Sequence, residues 1–177
     1  IRHETRDAYW RSGSAGETPE AISCPMLLIG GWVDRYSNTV MNLLSYSEGP
    51  CWGIVGPWGH HYPDAGIPGP SINFQAEALR WWDRWLCGHQ NGLEDEPKLR
   101  VWRQEYVPPQ NKILERPGSW ISENQWPSPN VTPRTYRLGT GSLSDSAEGD
   151  REKTAFVPNS LRIGSASGDT GYFGRDG

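Results

Sequence analysis

Two short apolar runs in the first third of the chain predict buried strands. One is Met-Leu-Leu-Ile at residues 26–29, bounded by Pro25 and a glycine pair, and the other covers residues 51–55. Short apolar runs bounded by turn residues are typical of strands that are buried on both faces of a parallel sheet. The sequence therefore predicts two neighbouring parallel strands.

A helical pattern separates these two runs. Four residues recur on one helical face: Val40, Leu43, Leu44 and Ser47. Ser37 or Asn38 is the expected N-cap, and the pair Gly49-Pro50 is expected to stop the helix. A strand, a helix and a strand in this order form a right-handed crossover unit. The loops that follow the two strands should therefore lie at the same edge of the sheet.

The pattern further along predicts one more helix and one edge strand. A Gly/Pro-rich loop covers residues 62–70, and six apolar residues then recur at helical spacing: Phe74, Ala78, Trp81, Trp82, Trp85 and Leu86. We expect the three tryptophans to pack the helix against the sheet, with a substrate platform as the alternative, and Gly88 and Gly92 to end the helix. Residues 98–102 alternate polar and apolar side chains, which favours an edge strand at which the sheet finishes.

Composition shifts after this predicted edge strand. Residues 108–133 are rich in Pro, Asn, Ser and Trp, which indicates a connection to a second domain. Beyond it, residues 135–138 are expected to form a strand and residues 139–144 a turn.

The most informative residues follow the two predicted buried strands. Gly-Gly-Trp-Val-Asp ends at Asp34, and Gly-Pro-Trp-Gly-His ends at His60. Acid before base, each on a loop past a strand, is the order found in α/β-hydrolases with a Ser-His-Asp triad. The nucleophile motif Gly-x-Ser-x-Gly does not occur, since residues 164–168 come nearest and have alanine at the centre.

These residue types suit proton transfer. A serine hydroxyl is a weak nucleophile near neutral pH, so it needs a base, and histidine fits because its ordinary pKa is about 6.5. An aspartate fixes the imidazole tautomer and stabilises the imidazolium. The glycines before Asp34 are expected to let its loop turn sharply. Trp32 and Trp58 are expected either to exclude water from the pair or to act as ordinary packing residues.

Composition and charge exclude several function classes. The 17 Lys and Arg against 21 Asp and Glu give a net charge of −4, so no nucleic-acid partner is expected. No apolar run approaches the roughly 20 residues of a membrane-spanning helix. We therefore expect a soluble protein with no membrane partner, and we favour the cytoplasm over secretion.

Neither a metal nor a cofactor is expected. Cys24, Cys51 and Cys87 are too widely spaced to indicate a zinc site or a disulfide framework, and Cys51 should be a small buried apolar residue. A metal site built from His60, His61 and Asp64 would lack the His-x-x-x-His spacing that brings two imidazoles together on a helix.

A family resemblance rests on five stretches: residues 7–10, Pro25, residues 30–38, residues 56–60 and residues 81–83. Together they resemble the cocaine esterase / Xaa-Pro dipeptidyl-peptidase (S15-like) family of serine hydrolases, which also includes α-amino-acid ester hydrolases and glutaryl-cephalosporin acylases. The resemblance covers nearly the whole chain and is strongest over residues 7–103. It implies that Asp34 is the triad acid and that His60, rather than His61, is the triad base. Gly59 departs from the commoner family pattern, which has a side chain there.

The resemblance also implies the fold and the missing parts. Residues 1–128 would be the C-terminal portion of an α/β-hydrolase domain with a mostly parallel sheet, and residues 129–177 the opening strands of a β jelly-roll domain. The nucleophile serine, the oxyanion-hole tyrosine and a helical cap would all lie upstream of Ile1. The missing N-terminal half of the same polypeptide is therefore an expected partner, and homo-oligomerisation stays open.

The function implied is cleavage of an acyl ester, an amide or a short peptide through a covalent acyl-enzyme, with the substrate-binding residues unknown. Two alternatives remain open. One is a non-catalytic carbohydrate- or partner-binding module that uses the ten tryptophans of the chain. The other is a catalytically dead family member. Expressed alone, the 177-residue chain is expected neither to hydrolyse esters nor to fold as a monomer, because strands lacking their neighbours leave an open edge.

Overall fold

The computed structural model describes residues 2–18, 21–108, 110, 112–139 and 142–145. Its helices are α1 (Ala8–Ser12), α2 (Ser37–Tyr46) and α3 (Phe74–Trp85). Its strands are β1 (Met26–Gly31), β2 (Cys51–Gly56), β3 (Leu99–Gln104), β4 (Gly118–Glu123), β5 (Arg137–Gly139) and β6 (Ser142–Ser144). Among these helices, none is long and apolar enough to cross a membrane.

A four-stranded sheet with the order β1-β2-β3-β4 organises the chain. β1, β2 and β3 are parallel, and β4 is antiparallel to β3. Met26 pairs with Cys51, and Gly31 pairs with Gly56, so β1 and β2 begin and end level with each other. The mostly parallel sheet confirms the α/β class. It also brings the two loops that follow β1 and β2 to the same edge.

The two longer helices cover opposite faces of this sheet. All six residues of β2 are buried, and successive side chains of a strand point to opposite faces. Cys51 and Val55 lie in one core cluster with Val40 and Leu44 of α2. Trp52 lies in a second cluster with Trp81 of α3. The predicted burial of Cys51 is confirmed.

The predicted end of the sheet is wrong. β3 pairs with β2 on one side and with β4 on the other, so it is an interior strand of the described sheet. Its residues Leu99 and Val101 are 0% and 8% exposed. β4 lies inside residues 108–133, which we expected to be the connection to a second domain. Its apolar residues Trp120 and Ile121 are adjacent, and this removes the alternation by which a strand is recognised from sequence.

The face that α3 buries is narrower than predicted. Trp81 is 3% exposed, but Trp82 is 53% exposed and Leu86 is 74% exposed and lies just past the end of the helix. Trp81 and Trp85 contact Trp52 of the sheet. The core face of α3 is therefore the stripe centred on Trp81, and the prediction that the three tryptophans pack against the sheet is wrong for Trp82.

The cap predicted for α2 is also wrong. The helix begins at Ser37 with Tyr36 at the N-cap position, and no side chain caps it from that position. The face that it packs on the sheet contains Val40 and Leu44, as predicted.

Past β4, the structure describes a small hairpin. β5 pairs antiparallel with β6, so residues 142–144 form a strand where we expected a turn. Residues 140, 141 and 146–177 lie outside the described part of the chain, and with them most of the predicted jelly-roll segment.

Candidate active site

Asp34 and His60 meet at the edge where β1 and β2 end. His60 Nδ1 lies 2.9 Å from Asp34 Oδ2. The aspartate side chain is 13% exposed and the imidazole 43% exposed. A shielded carboxylate beside a more open imidazole is the arrangement in which a histidine can exchange a proton with a bound molecule. The two residues that the sequence singled out are thus hydrogen-bonded neighbours.

Both oxygens of the Asp34 carboxylate have a defined partner. Oδ2 faces His60, and Oδ1 accepts a hydrogen bond of 2.9 Å from the backbone N–H of Tyr36, the residue before α2. The backbone N–H of Asp34 in turn donates to the carbonyl of Gly31 at 3.1 Å. The carboxylate is held between the end of β1 and the start of α2, and this fixes the direction in which it presents Oδ2.

The aspartate and histidine loops are also joined by their backbones. The N–H of Trp32 donates to the carbonyl of Gly56 at 2.9 Å, and the N–H of Val33 donates to the carbonyl of Trp58 at 3.2 Å. These bonds continue the β1–β2 pairing past the strand ends. They keep the two loops at a constant separation, and the distance between Asp34 and His60 depends on that separation.

Glycines at this edge make room for Trp58. A Cβ on Gly31 would lie 1.9 Å from the Trp58 carbonyl oxygen, and a Cβ on Gly56 would lie 2.2 Å from its indole ring. Gly31 has no positive φ; among the described glycines only Gly88 and Gly92 do. The chain turns directly after Gly31, where Asp34 N–H donates to its carbonyl, but the turn itself needs no positive φ. What requires a glycine at position 31 is the close approach of Trp58.

The two tryptophans near the pair have different environments. Trp58 is 1% exposed and lines the cleft beside Asp34 and His60. Trp32 is 40% exposed, and its indole N–H donates to the carbonyl of Trp102 on β3 at 2.7 Å. Trp58 is the one placed to limit water access to the pair, whereas Trp32 links the aspartate loop to β3.

A cleft of about 810 Å³ opens at this site. Beside the pair it is lined by His61, Tyr62, Pro63 and Phe74, among others. The ring of Tyr36 lies 5.8 Å from that of His60. Sequence reasoning did not select these aromatic residues. Tyr36 and Tyr62 each lie two residues past a predicted site residue, and this proximity could have indicated that they line the site. No feature of the sequence indicates this for Phe74.

Two other chemistries find no support in the described residues. No group of three His, Cys, Asp or Glu side chains within the described ranges could hold a metal ion. Burial raises the pKa of the Cys51 thiol above its usual range, and this disfavours the thiolate that a nucleophilic cysteine needs.

Two family models match the chain. The model of the X-Pro dipeptidyl-peptidase (S15 family) matches residues 1–62, which include both Asp34 and His60. The model of the X-Pro dipeptidyl-peptidase C-terminal non-catalytic domain matches residues 91–168. The two matched ranges follow each other along the chain without overlap.

Curated relatives agree with these matches. The chain is 22% identical over 160 residues to a cocaine esterase from Rhodococcus sp., an alignment that covers 84% of this chain and 26% of the relative. It is 34% identical over 68 residues to a putative Xaa-Pro dipeptidyl-peptidase from Bacillus cereus, covering 38% of this chain and 10% of the relative. The chain thus spans only a minor part of the length of each.

A solved structure shares the fold. A CocE/NonD family hydrolase from Staphylococcus aureus superposes with a TM-score of 0.55 at 17% identity, over 82% of this chain and 24% of that one. The two consecutive model matches and the curated relatives lead to one conclusion: the chain belongs to the cocaine esterase / Xaa-Pro dipeptidyl-peptidase family.

Proposed function

We propose that this chain supplies the acid and the base of a hydrolase that cleaves acyl esters or amides, with Asp34 as the acid and His60 as the base. The nucleophilic serine comes from outside these 177 residues. The observation that carries the proposal is the 2.9 Å contact between His60 Nδ1 and Asp34 Oδ2 across two loops. Both loops follow parallel strands at the sheet edge where α/β-hydrolases place these groups.

In the proposed mechanism, His60 transfers one proton in each of the two half-reactions. Its Nε2 accepts the serine proton while the serine Oγ attacks the substrate carbonyl carbon, and it then gives that proton to the departing alcohol or amine. The C–O or C–N bond breaks as the acyl-enzyme ester forms. In the second half, Nε2 takes a proton from water, whose oxygen attacks the acyl carbon, and returns it to the serine oxygen.

Asp34 acts through His60 in this proposal. Its Oδ2 accepts a hydrogen bond from Nδ1–H, which leaves Nε2 as the basic nitrogen, and its charge stabilises the imidazolium that forms in each half-reaction. The hydrogen bond from Tyr36 N–H to Oδ1 supports this role, because it keeps Oδ2 directed at the imidazole. Trp58 supports it by limiting water beside the pair.

The distribution of tryptophans favours this proposal over a carbohydrate-binding module. Such a module presents aromatic rings in a planar exposed row. The four exposed tryptophans here lie on α1, on the loop after β1, on α3 and on β4: Trp10, Trp32, Trp82 and Trp120.

We further propose that β5 and β6 open a jelly-roll domain, in keeping with the C-terminal domain model that matches residues 91–168.

Transient kinetics of the full-length protein test the proposed function. With a p-nitrophenyl ester, acyl-enzyme formation predicts a burst of p-nitrophenol equal to the enzyme concentration, followed by slower steady turnover. A proline-containing dipeptide anilide assayed in parallel decides between ester and peptide substrates. A full-length protein that turns over no ester, amide or peptide would instead be the catalytically dead family member.

A further inference from the structure

A segment far from His60 in sequence contacts the histidine loop at two points. We call residues 114–120 the β4 lead-in: it comprises the end of the β3–β4 connection and the first three residues of β4. One contact is made through its backbone to Gly69, and the other through the ring of Trp120 to Trp58.

The backbone contact continues to the neighbour of His60. Gly69 N–H donates to the carbonyl of Leu114 at 2.7 Å, and Arg116 N–H donates to the carbonyl of Gly69 at 2.8 Å. Two residues before Gly69, the carbonyl of Ile67 accepts a 2.8 Å hydrogen bond from Gly59 N–H. The lead-in is therefore hydrogen-bonded to Gly69, and the nearby Ile67 is hydrogen-bonded to Gly59, the residue before His60.

The aromatic contact reaches the other side of the histidine loop. The Trp120 ring lies 6.2 Å from that of Trp58, which is 1% exposed and precedes His60 by two residues. Trp120 also packs edge-on against Trp102 of β3 at 5.4 Å. The indole N–H of Trp102 donates to the carbonyl of Arg116 at 3.1 Å. The lead-in is thus anchored to β3 and can transmit that rigidity to Trp58.

His60 needs such support because β2 does not reach it. β2 ends at Gly56, and residues on a connecting loop are more mobile than those in the strand that they follow. A displacement of about 1 Å in a catalytic group can cost roughly 100-fold in rate. The contacts made by Trp58 and Gly59, the two residues before His60, limit such a displacement.

We propose that the β4 lead-in is a positioning element for His60, with Trp120 as its principal positioning residue. The inference rests on the proposed function of His60. It adds that a segment inside residues 91–168, matched by the model of the non-catalytic domain, sets the geometry of the acid–base pair. The segment matched by the non-catalytic domain model would then contribute to catalysis without contacting the substrate.

Three variants of the full-length enzyme test the aromatic contact. Trp120→Ala should lower kcat about 10- to 100-fold with KM changed less than about two-fold, because the imidazole is misplaced while the substrate pocket is intact. Trp120→Phe should recover most of the loss. Ile121→Ala is the matched control, since it removes apolar mass from the adjacent position of β4, which points to the opposite face.

A spectroscopic readout separates positioning from the proposed function. The Nδ1 proton of a histidine hydrogen-bonded to a carboxylate gives a downfield proton resonance, assigned here by its loss in Asp34→Asn. We expect it to be lost or broadened in Trp120→Ala and retained in Ile121→Ala. This readout reports the His60–Asp34 contact even if the protein hydrolyses nothing.

The backbone contact has its own test. Arg116→Pro removes the N–H that donates to the Gly69 carbonyl at 2.8 Å and should lower kcat. Arg116→Ala keeps that N–H and is the matched control. The proposal is overturned if Trp120→Ala and Arg116→Pro both stay within two-fold of wild-type kcat with the resonance intact. It is equally overturned if Ile121→Ala loses as much activity as Trp120→Ala.

Discussion

The described part of the chain contains two histidine–aspartate pairs, and we propose a catalytic role for only one of them. His3 Nδ1 lies 2.6 Å from Asp7 Oδ2, and His60 Nδ1 lies 2.9 Å from Asp34 Oδ2. By distance alone the first pair is the tighter. Its side chains are 38% and 41% exposed, however, whereas the Asp34 side chain is 13% exposed.

The first pair is explained by local structure. Asp7 is the N-cap of α1, and its Oδ1 accepts a 3.0 Å hydrogen bond from Tyr9 N–H. The His3 ring stacks on that of Tyr9 at 4.4 Å. The hydrogen bond with His3 is the main cause that lowers the pKa of Asp7. These contacts join residues within one short stretch of chain, and they organise the start of α1.

The second pair is held by tertiary structure. Asp34 and His60 are brought together by the pairing of β1 with β2, and they line a cleft of about 810 Å³. A hydrogen-bonded histidine and aspartate are therefore not by themselves a sign of catalysis. What distinguishes the site is a shielded carboxylate, a position past two parallel strands, and space for a substrate.

The largest expected effect comes from removing the charge of each aspartate in turn. In the full-length protein, Asp34→Asn should lower kcat by roughly 10⁴, because the imidazole then takes the wrong tautomer. Asp7→Asn should leave kcat within about two-fold and affect only the start of α1. Steady-state kinetics of both variants with one ester substrate make the comparison. Similar losses in the two variants would remove the distinction between the pairs.

The two adjacent histidines give the next test. His60→Ala should be at least as severe as Asp34→Asn, since it removes the base itself. His61→Ala should cost less than about ten-fold, because His61 lines the cleft whereas the hydrogen bond with Asp34 is made by His60. The same ester assay decides. Turnover that survives in His60→Ala but vanishes in His61→Ala would reassign the base.

A third charged pair should affect stability and leave kcat unchanged. The Arg100 guanidinium on β3 donates to both oxygens of Glu77 on α3, at 2.9 and 2.7 Å. These hydrogen bonds are the main cause that lowers the pKa of Glu77. Because the folded-state pKa is lowered, the pair stabilises the fold above the unfolded pKa of about 4.3, and the contribution is lost as the pH falls through the folded pKa.

Glu77→Gln should therefore lower the free energy of unfolding by about 1–2 kcal/mol at pH 7, a value that allows for the partial exposure of both side chains. Urea denaturation of the full-length protein at pH 7 and near pH 3 measures it. The difference between variant and wild type should shrink at the lower pH. An equal difference at both values would show that the carboxylate charge is not what stabilises the contact.

The smallest expected effect concerns Gly59. A Cβ there would lie 3.6 Å from the carbonyl oxygen of Ile67 and 3.9 Å from His61, both ordinary contacts, and Gly59 has no positive φ. Gly59→Ala should therefore raise the free energy of unfolding by about 0.4–1 kcal/mol, because the unfolded chain loses freedom. Thermal melting checks this. A lower melting temperature would show that the histidine loop needs a glycine here.

The half of the sheet that carries the pair was predictable from local signals. Short apolar runs marked β1 and β2, a helical face marked α2, and the rule that parallel strands end at one edge brought Asp34 and His60 together. Family motifs selected His60 over His61. Each inference needed only a few neighbouring residues and one topological rule.

The other half of the sheet depended on contacts between distant residues. β4 is defined by its pairing with β3, where Trp120 lies opposite Trp102, and its own sequence does not alternate. Gly31 is required because Trp58 packs against it, and this contact between distant residues cannot be inferred from the residues around Gly31. The exposure of Trp82 likewise follows from the orientation of α3 on the sheet, which periodicity alone does not set.

Active-site labelling of the full-length protein tests the central claim most directly. A fluorophosphonate probe reacts with a serine only when a histidine activates it, and peptide mass mapping locates the labelled residue. We predict one labelled serine, located outside residues 1–177, and loss of labelling in His60→Ala but not in His3→Ala. A labelled serine within residues 1–177, or labelling that persists at the wild-type rate in His60→Ala, would contradict the assignment of Asp34 and His60 as the acid and base of a serine hydrolase.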